Sequence, residues 1–206
     1  MKKILCYGDS NTFGFNPSNG LMFDKNIRWT DILQNNLINE FEVINEGFCD
    51  RTGFTDNPKG FIFSAQKHFP KILSDISFID ILILAIGTND LQFQYNITSE
   101  TIKNGLEKLI NTAKAKSGKI IIIPPVKLNE QILKGYFKCQ FDQTSIDKSK
   151  HIDTIYKNTA KEFNCFYFDI NEFTKPSDID GLHYSEFSHN IIACKLTDFI
   201  HNIIQS

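Results

Sequence analysis

Short apolar runs alternate along the chain with longer segments in which apolar residues recur every three or four positions. A short, continuously apolar run is typical of a strand in a parallel sheet, because helices cover both faces of such a sheet. Five short, mostly apolar runs are predicted to be strands, and they span residues 4–7, 41–45, 78–87, 119–123 and 165–168. The second run follows directly on a helical segment.

The segments between these runs have helical periodicity. Helices are predicted over 29–40, over 61–74 with its register limited by Pro70, from a cap at Thr98 or Ser99 to 116, from a cap at Ser145 or Asp147 to 163, and from a cap at Ser185 over 186–204. Gly118 is predicted to end the third of these helices. The least regular stretch, 124–144, has no clear period, and a loop of that length is often functional.

Strands that alternate with helices predict an α/β fold with three layers, α/β/α, around a five-stranded parallel sheet. Residues 1–206 are expected to form one domain. In such folds ligands bind outside the carboxyl ends of the strands, which indicates where to look for chemistry.

Composition argues against several classes of protein. The formal net charge is -2 and no run of five Lys or Arg occurs, so a nucleic-acid partner is not expected. The longest apolar run, 81–86, is far shorter than the ~20 residues of a membrane span. Only residues 4–7 follow the basic start as an apolar stretch, which is too short for a signal peptide and predicts a cytoplasmic location. The five cysteines lack a CxxC pair, which disfavours a disulfide framework or a zinc site.

Three polar segments follow predicted strand ends, at 8–12, 87–90 and 178–183. The fold rule places all three at one edge of the sheet. Ester hydrolysis needs an activated hydroxyl, a base and a group that orients the base, and Ser10, His183 and Asp180 supply these three groups. The Asn89 amide and the Ser10 N–H are candidate donors to the developing oxyanion.

These residues carry a family resemblance. The sequence GDS at 8–10, GTND at 87–90 and DGLH at 180–183 resembles the first, third and final blocks of the SGNH/GDSL hydrolases. The second block should lie within 45–52, where the family usually has a glycine whose N–H is a further oxyanion donor. This chain has Asp50 there, so the donor is expected from Asp50 or, alternatively, from Gly47. The Asp50 carboxylate would then have to point away or pair with Arg51.

The resemblance implies a flavodoxin-like SGNH fold and hydrolysis of short-chain or aryl esters through an acyl-enzyme on Ser10. An arylesterase/acyltransferase-like branch is indicated by the segments 13–17, 28–30, 46–52 and 124–125, and some members of it transfer acyl groups to alcohols. The implied partner is a small-molecule ester, with no metal and no organic cofactor.

The sequence leaves several alternatives open. Ser10 could be a turn residue or a helix cap, Asp178 is a rival for the acid role, and Asn89 could close a turn. Cys49 lies beside the predicted site but lacks an assigned base. Asp9 and Asp90 are expected to bond nearby loop N–H groups, and the remaining histidines are predicted to be surface or helix residues: His68, His151, His189 and His201.

Aromatic residues near the blocks either wall an acyl pocket or simply pack in the core: Phe13, Phe15, Trp29 and Phe93. The same triad could serve a carbohydrate O-acetyl esterase or a lysophospholipase/thioesterase. A non-catalytic binding domain on the same scaffold is the alternative of another class, and only Asp50 supports it. The 124–144 loop could cover the site or contact another subunit of a homo-oligomer.

Overall fold

Five parallel strands form the sheet at the centre of the protein, whose computed structural model describes residues 1–205. The strands are β1 (Lys2–Gly8), β2 (Phe41–Gly47), β3 (Ile79–Ala85), β4 (Ser117–Ile123) and β5 (Phe166–Tyr167), and their order across the sheet is β2-β1-β3-β4-β5. This confirms the predicted α/β fold and its flavodoxin-like strand order. The inner strands β1, β3 and β4 are the most deeply buried, because each has a strand on both sides and helices on both faces.

The helices described in residues 1–205 are α1 (Ser10–Phe13), α2 (Trp29–Asn36), α3 (Ala65–Asp75), α4 (Ser99–Lys114), α5 (Gln143–Ser149), α6 (Ile152–Glu162) and α7 (Glu186–Gln205). Helix α2 packs against α7, and α4 packs against α3 and α6. The apolar faces of both groups join the sheet in one hydrophobic core.

Two predicted caps are confirmed by side-chain hydrogen bonds. The Thr98 hydroxyl accepts from the Thr101 N–H at 3.1 Å at the start of α4, and the Ser185 hydroxyl accepts from the Ser188 N–H at 3.2 Å at the start of α7. Both satisfy backbone donors that a helix leaves unpaired in its first turn.

The helix predicted from Ser145 or Asp147 to residue 163 is wrong as a single element. Helix α5 begins after Asp142, whose carboxylate accepts from the Ser145 N–H while the Ser145 hydroxyl accepts from the Asp142 N–H. Ser145 is therefore the third residue of a capping box rather than the cap itself. The chain then turns at Lys150 and His151 before α6 begins.

Two further boundaries differ from the prediction. A short 3₁₀ turn, Phe61–Phe63, precedes α3, and Pro70 lies inside α3 without ending it. Gly118 belongs to β4 instead of terminating α4. A side chain at this position would lie 2.9 Å from the Asp80 carbonyl oxygen of the neighbouring strand, so glycine allows the two strands to pair closely. The irregular 124–144 stretch contains two 3₁₀ turns, Glu130–Leu133 and Tyr136–Cys139.

Among the described helices, none combines the length and the apolar character that crossing a bilayer requires. The cytoplasmic location and the homo-oligomer remain predictions.

Candidate active site

Ser10 lies at the first position of α1, immediately beyond the carboxyl end of β1. Asp9 is the cap of this short helix, and its carboxylate accepts from the Asn11 N–H at 3.0 Å. A side chain at Gly8 would lie 2.1 Å from the Thr12 hydroxyl oxygen and 2.5 Å from the Ala85 carbonyl oxygen. Glycine at this position therefore allows α1 to pack directly on the strand ends, and the Ser10 hydroxyl faces a cavity.

The turn before α7 brings the two other predicted triad residues to Ser10. Nε2 of His183 lies 2.9 Å from Ser10 Oγ, and Nδ1 of His183 lies 2.6 Å from Asp180 Oδ2. The other Asp180 oxygen accepts from the N–H groups of Leu182 and His183 at 2.9 and 3.0 Å. Gly181 makes this turn possible with a φ of 71°, a conformation that favours glycine.

Asp180 holds the imidazole in one orientation. Burial by itself raises the pKa of Asp180, but the hydrogen bond and charge of His183, with the two backbone N–H groups, outweigh burial and lower the pKa overall. An ionised carboxylate at Nδ1 places the ring hydrogen on that nitrogen, so Nε2 can accept the hydroxyl hydrogen of Ser10. Asp178, the rival for this role, is exposed and lies 3.3 Å from Lys175 Nζ instead.

Asn11 joins the loops that carry Ser10 and His183. Its side-chain amide donates to the Leu182 carbonyl at 3.3 Å and accepts from the Tyr184 N–H at 3.0 Å. The sequence analysis missed this residue. Its one visible signal was its place directly after the predicted nucleophile.

Asn89 lies beside Ser10 on the loop that follows β3. Its Nδ2 donates to the Arg51 carbonyl at 3.1 Å, and its Oδ1 accepts from Gln92 Nε2 at 3.2 Å. These two bonds orient the amide and leave Nδ2 one further hydrogen to donate. Asn89 lines the same cavity as Ser10.

Asp50 adopts the left-handed backbone conformation, with a φ of 62°. The N–H of Asp50 has no hydrogen-bond acceptor among residues 1–205, and the same is true of the Ser10 N–H. Gly47 is unsuited to the donor role, because its N–H already donates to Asn45 Oδ1 at 2.8 Å. A side chain on Gly47 would lie 2.1 Å from the Phe13 nitrogen, so this glycine serves close packing.

Of the two arrangements considered for the Asp50 carboxylate, pointing away or pairing with Arg51, the pairing with Arg51 does not occur. The Asp50 carboxylate lies 2.6 Å from Lys59 Nζ. The guanidinium of Arg51 is buried and donates to the carbonyl oxygens of Gly8, Glu46 and Ile62. Arg51 therefore anchors its loop to the ends of β1 and β2, and a different cation partners Asp50.

Asp90 anchors the same loop from the other side. Its buried carboxylate accepts from the N–H groups of Gly53, Phe54 and Thr55 and from the Thr55 hydroxyl. Burial raises the pKa of Asp90 to about 6, although the hydrogen bonds oppose this rise. Asp9 has a comparable role, since it also contacts the Thr88 N–H at 3.4 Å. Both aspartates bond loop N–H groups, as expected from the sequence.

A cavity of about 190 Å³ opens at Ser10, Asn89 and His183. Of the four aromatic residues predicted to wall it, Phe15 alone does so, and its ring lies 4.2 Å from the His183 ring, centroid to centroid. Trp29 is buried in the core with its indole N–H donating to the Asn11 carbonyl. Phe13 and Phe93 also lie outside the cavity lining.

Another part of the cavity wall comes from the irregular 124–144 stretch. Phe137 lies 5.3 Å from the His183 ring, and Tyr136 packs at 5.2 Å against Phe137, centroid to centroid in both cases. Sequence reasoning missed both residues, because short 3₁₀ turns have no apolar period. The loop therefore covers one side of the site. Its anchor is the Asn129 N–H, which donates to the Gly181 carbonyl at 3.2 Å.

Cys49 lines the cavity but is poorly suited to nucleophilic attack. Burial, followed by the charges of Asp50 and Asp9, raises the pKa of its thiol to about 11. The thiol therefore stays protonated near neutral pH, whereas only a thiolate is a good nucleophile.

His68 and His189, predicted to be surface or helix residues, lie on helices with their imidazoles buried.

Comparisons with known proteins identify a family and several similar folds. The model of the GDSL-like lipase/acylhydrolase family matches residues 6–191. An inhibitor-bound aryl esterase from M. smegmatis is 25% identical, with a TM-score of 0.90 over 98% of this chain and 99% of that one. A carbohydrate acetylesterase family member from Sinorhizobium meliloti is also 25% identical, with a TM-score of 0.90 over 100% of both chains. No curated protein matches the sequence significantly.

Proposed function

The chain belongs to the GDSL-like lipase/acylhydrolase family, and from this premise we propose that it cleaves short-chain or aryl carboxylic esters through an acyl-enzyme on Ser10. Family membership and the structural neighbours make it a carboxylic ester hydrolase. The observation that carries the assignment of residues is the continuous chain of hydrogen bonds from Ser10 through His183 to Asp180, beside an open cavity.

In the first step Ser10 Oγ attacks the ester carbonyl carbon, and the hydroxyl proton passes to Nε2 of His183. The carboxylate of Asp180 stabilises the imidazolium that results. The carbonyl oxygen becomes an oxyanion, which accepts from the N–H groups of Ser10 and Asp50 and from Nδ2 of Asn89. Collapse of this intermediate breaks the ester bond, and His183 returns the proton to the departing alcohol.

In the second step a water molecule, or another alcohol, takes the place of the departed alcohol. His183 accepts its proton as the oxygen attacks the acyl carbon, and the same donors hold the second oxyanion. His183 then protonates Ser10 Oγ as the acid or the new ester leaves. Both steps need a neutral imidazole at the start.

The size and walls of the cavity favour small substrates. A space of about 190 Å³ between aromatic rings suits a short acyl group or an aryl ester better than the long acyl chain of a lysophospholipid. The non-catalytic alternative rested on Asp50. The left-handed conformation of Asp50 supports a donor role for its backbone, which removes that argument.

A carbohydrate O-acetyl ester is the second candidate substrate. Tyr136 is 82% exposed at the rim of the cavity, where its ring is free to stack on a sugar. Lys59 and Gln140 add polar groups on the same lining. The Sinorhizobium meliloti neighbour is described as a carbohydrate acetylesterase family member.

The first test is hydrolysis of p-nitrophenyl esters with acyl chains from two to eight carbons. Ser10→Ala should lose at least ~10³-fold in kcat, because the nucleophile is gone. Ser74→Ala, which removes an exposed hydroxyl on α3, is the matched control and should retain full activity. Equal turnover by the wild type and Ser10→Ala would refute the assignment of Ser10.

Acetate release from acetylated sugars separates the two substrate classes. If sugars are the substrate, Tyr136→Ala should lower kcat/KM for an acetylated sugar more than for p-nitrophenyl acetate, whereas Tyr136→Phe should keep the ring and the preference. Parallel losses on both substrates would leave the aryl ester as the better candidate.

A further inference from the structure

Asp50 brings a negative charge close to the proposed oxyanion hole. A backbone N–H and the carboxylate of the same aspartate are separated by only three carbon atoms, so they lie within roughly 3–5 Å of each other. Asp50 lines the cavity together with Ser10 and Asn89. A carboxylate in this position opposes the charge that develops on the ester oxygen during attack, unless a cation compensates it.

Lys59 is the cation that faces this carboxylate. Its Nζ lies 2.6 Å from Asp50 Oδ2, and Lys59 lines the same cavity. No other ion pair involving Asp50 occurs within the described residues. Arg51, the neighbouring cation, is committed to the carbonyl oxygens of Gly8, Glu46 and Ile62.

One side chain holds the backbones of the two charged residues together. Asn57 is 7% exposed; its Nδ2 donates to the Asp50 carbonyl at 2.8 Å, and its Oδ1 accepts from the Lys59 N–H at 3.0 Å. The Asn57 carbonyl in turn accepts from the Gly60 N–H at 3.1 Å, which closes the turn that carries Lys59. The fold therefore holds close together the backbone positions from which the two charged side chains extend.

We propose that Lys59 is a positioning residue for the oxyanion hole, which compensates the charge of the Asp50 carboxylate and holds it away from the reacting oxygen. The backbone of Asp50 can then donate to the oxyanion without its side chain opposing the reaction. This inference rests on the proposed function, because it concerns the same oxyanion.

The expected effect is modest and falls on the chemical step. Asp50 and Lys59 have side chains that are 38% and 54% exposed, so solvent screens their charges strongly. For two charges about 5 Å apart in such surroundings, loss of the compensating cation corresponds to a decrease in kcat of about three- to tenfold. KM should change little, since the opposing charge develops only in the transition state.

A double-mutant cycle on p-nitrophenyl acetate tests the proposal. Lys59→Met should lower kcat by about three- to tenfold in the wild-type background. In an Asp50→Asn background the same change should lower kcat by less than about twofold, because no carboxylate remains to be compensated. Asparagine is the appropriate replacement, since it tolerates the left-handed backbone of residue 50. Lys59→Arg retains the cation and should restore most of the lost rate.

Lys67→Met is the matched control. Lys67 lies 2.8 Å from Asp56 in an exposed ion pair outside the cavity lining, so its loss should leave kcat unchanged. Melting temperatures of all variants identify any that fold poorly, and Lys59→Gln replaces Lys59→Met if the apolar side chain destabilises the loop.

The proposal is overturned if Lys59→Met leaves kcat unchanged, or if it lowers kcat equally in both backgrounds, since Lys59 would then not act through Asp50. Ser10→Ala, measured in the same assay, distinguishes a failure of this inference from a failure of the proposed function. Activity that depends on Ser10 but shows no coupling between residues 50 and 59 refutes only this inference. Activity that does not depend on Ser10 refutes the proposed function.

Discussion

Replacing His189 by glutamine should make the free energy of unfolding fall much less as the pH is lowered. His189 lies in α7 and is fully buried, between the rings of Phe23 and Tyr184. Its Nδ1 accepts from the backbone N–H of Trp29 at 3.2 Å, and its Nε2 has no hydrogen-bond partner within residues 1–205. A protonated imidazole would lose the first bond and would place a charge in an apolar environment.

The size of the effect follows from the difference in proton affinity between the folded and unfolded chains. Burial, followed by the charges of His183 and Arg28, lowers the pKa of His189 to about 3 in the folded state, against 6.5 for an unperturbed histidine. Above pH 6.5 both states are neutral at this residue and nothing is lost. As the pH falls below 6.5 the unfolded chain binds the proton first, so the free energy of unfolding decreases. The decrease reaches about 2 kcal/mol at pH 5 and about 4 kcal/mol at pH 3.

Urea unfolding at pH 7.5 and pH 5.0 measures this effect, with the fluorescence of Trp29, the one tryptophan of the sequence, as the probe. The wild type should lose about 2 kcal/mol more between the two pH values than His189→Gln does. Glutamine can still accept from the Trp29 N–H and does not titrate. The absolute stability of the variant does not enter the comparison, because only its change with pH is tested.

His151→Gln is the control, since His151 is exposed at the turn before α6. This variant should retain the pH dependence of the wild type. If His189→Gln and the wild type lose the same free energy between pH 7.5 and pH 5.0, the buried imidazole is not the origin of the acid sensitivity and the reasoning fails.

Three further predictions concern the site. Asp180→Asn should lower kcat by about 10³–10⁴-fold, because the ring would lose its orienting carboxylate; a loss below about tenfold would contradict the triad. Asn89→Ala should lower kcat by about 10²–10³-fold with a small change in KM, and a change confined to KM would place the amide in ground-state binding instead. Gly47→Ala should lower both the melting temperature and activity, because its Cβ would lie 2.1 Å from the Phe13 nitrogen. Gly135→Ala, whose Cβ would lie an ordinary 3.7 Å from the nearest atom, is the control, and equal melting temperatures for the two variants would contradict the packing argument.

Elements with strong local patterns were predicted well. The strands β1 and β4 are short apolar runs, and the helices α4 and α7 each have an apolar face with helical spacing. Each of these two helices also has a recognisable cap residue at its start, Thr98 or Ser185. Helices α5 and α6 were predicted as one helix, although a turn at Lys150 and His151 separates them. The start of α5 was also placed too late, because it is set by the reciprocal bonding of Asp142 and Ser145. A residue pattern shows that both side chains could cap a helix, but their pairing decides where it begins.

The residues of the site likewise fall into those that the sequence predicted and those that it did not. Ser10, Asn89, Asp180 and His183 were predicted because each follows the end of a strand, and parallel strands deliver their carboxyl ends to one edge of the sheet. Phe137 and Tyr136 were not, since their loop has no period and reaches the site only by folding back over the turn at Gly181.

The sequence by itself determined the order of strands and helices and the residues at the strand ends, because these depend on local hydrophobic periodicity and on spacing along the chain. Only the tertiary structure decided the partner of Asp50, the burial of His189 and the walls of the cavity. Each of these depends on contacts between segments far apart in sequence, such as His189 with Trp29, or on the path of an irregular turn, such as the one that brings Lys59 to Asp50. The partner of a charged side chain and the burial of a residue depend on such contacts, so a local sequence pattern does not predict them.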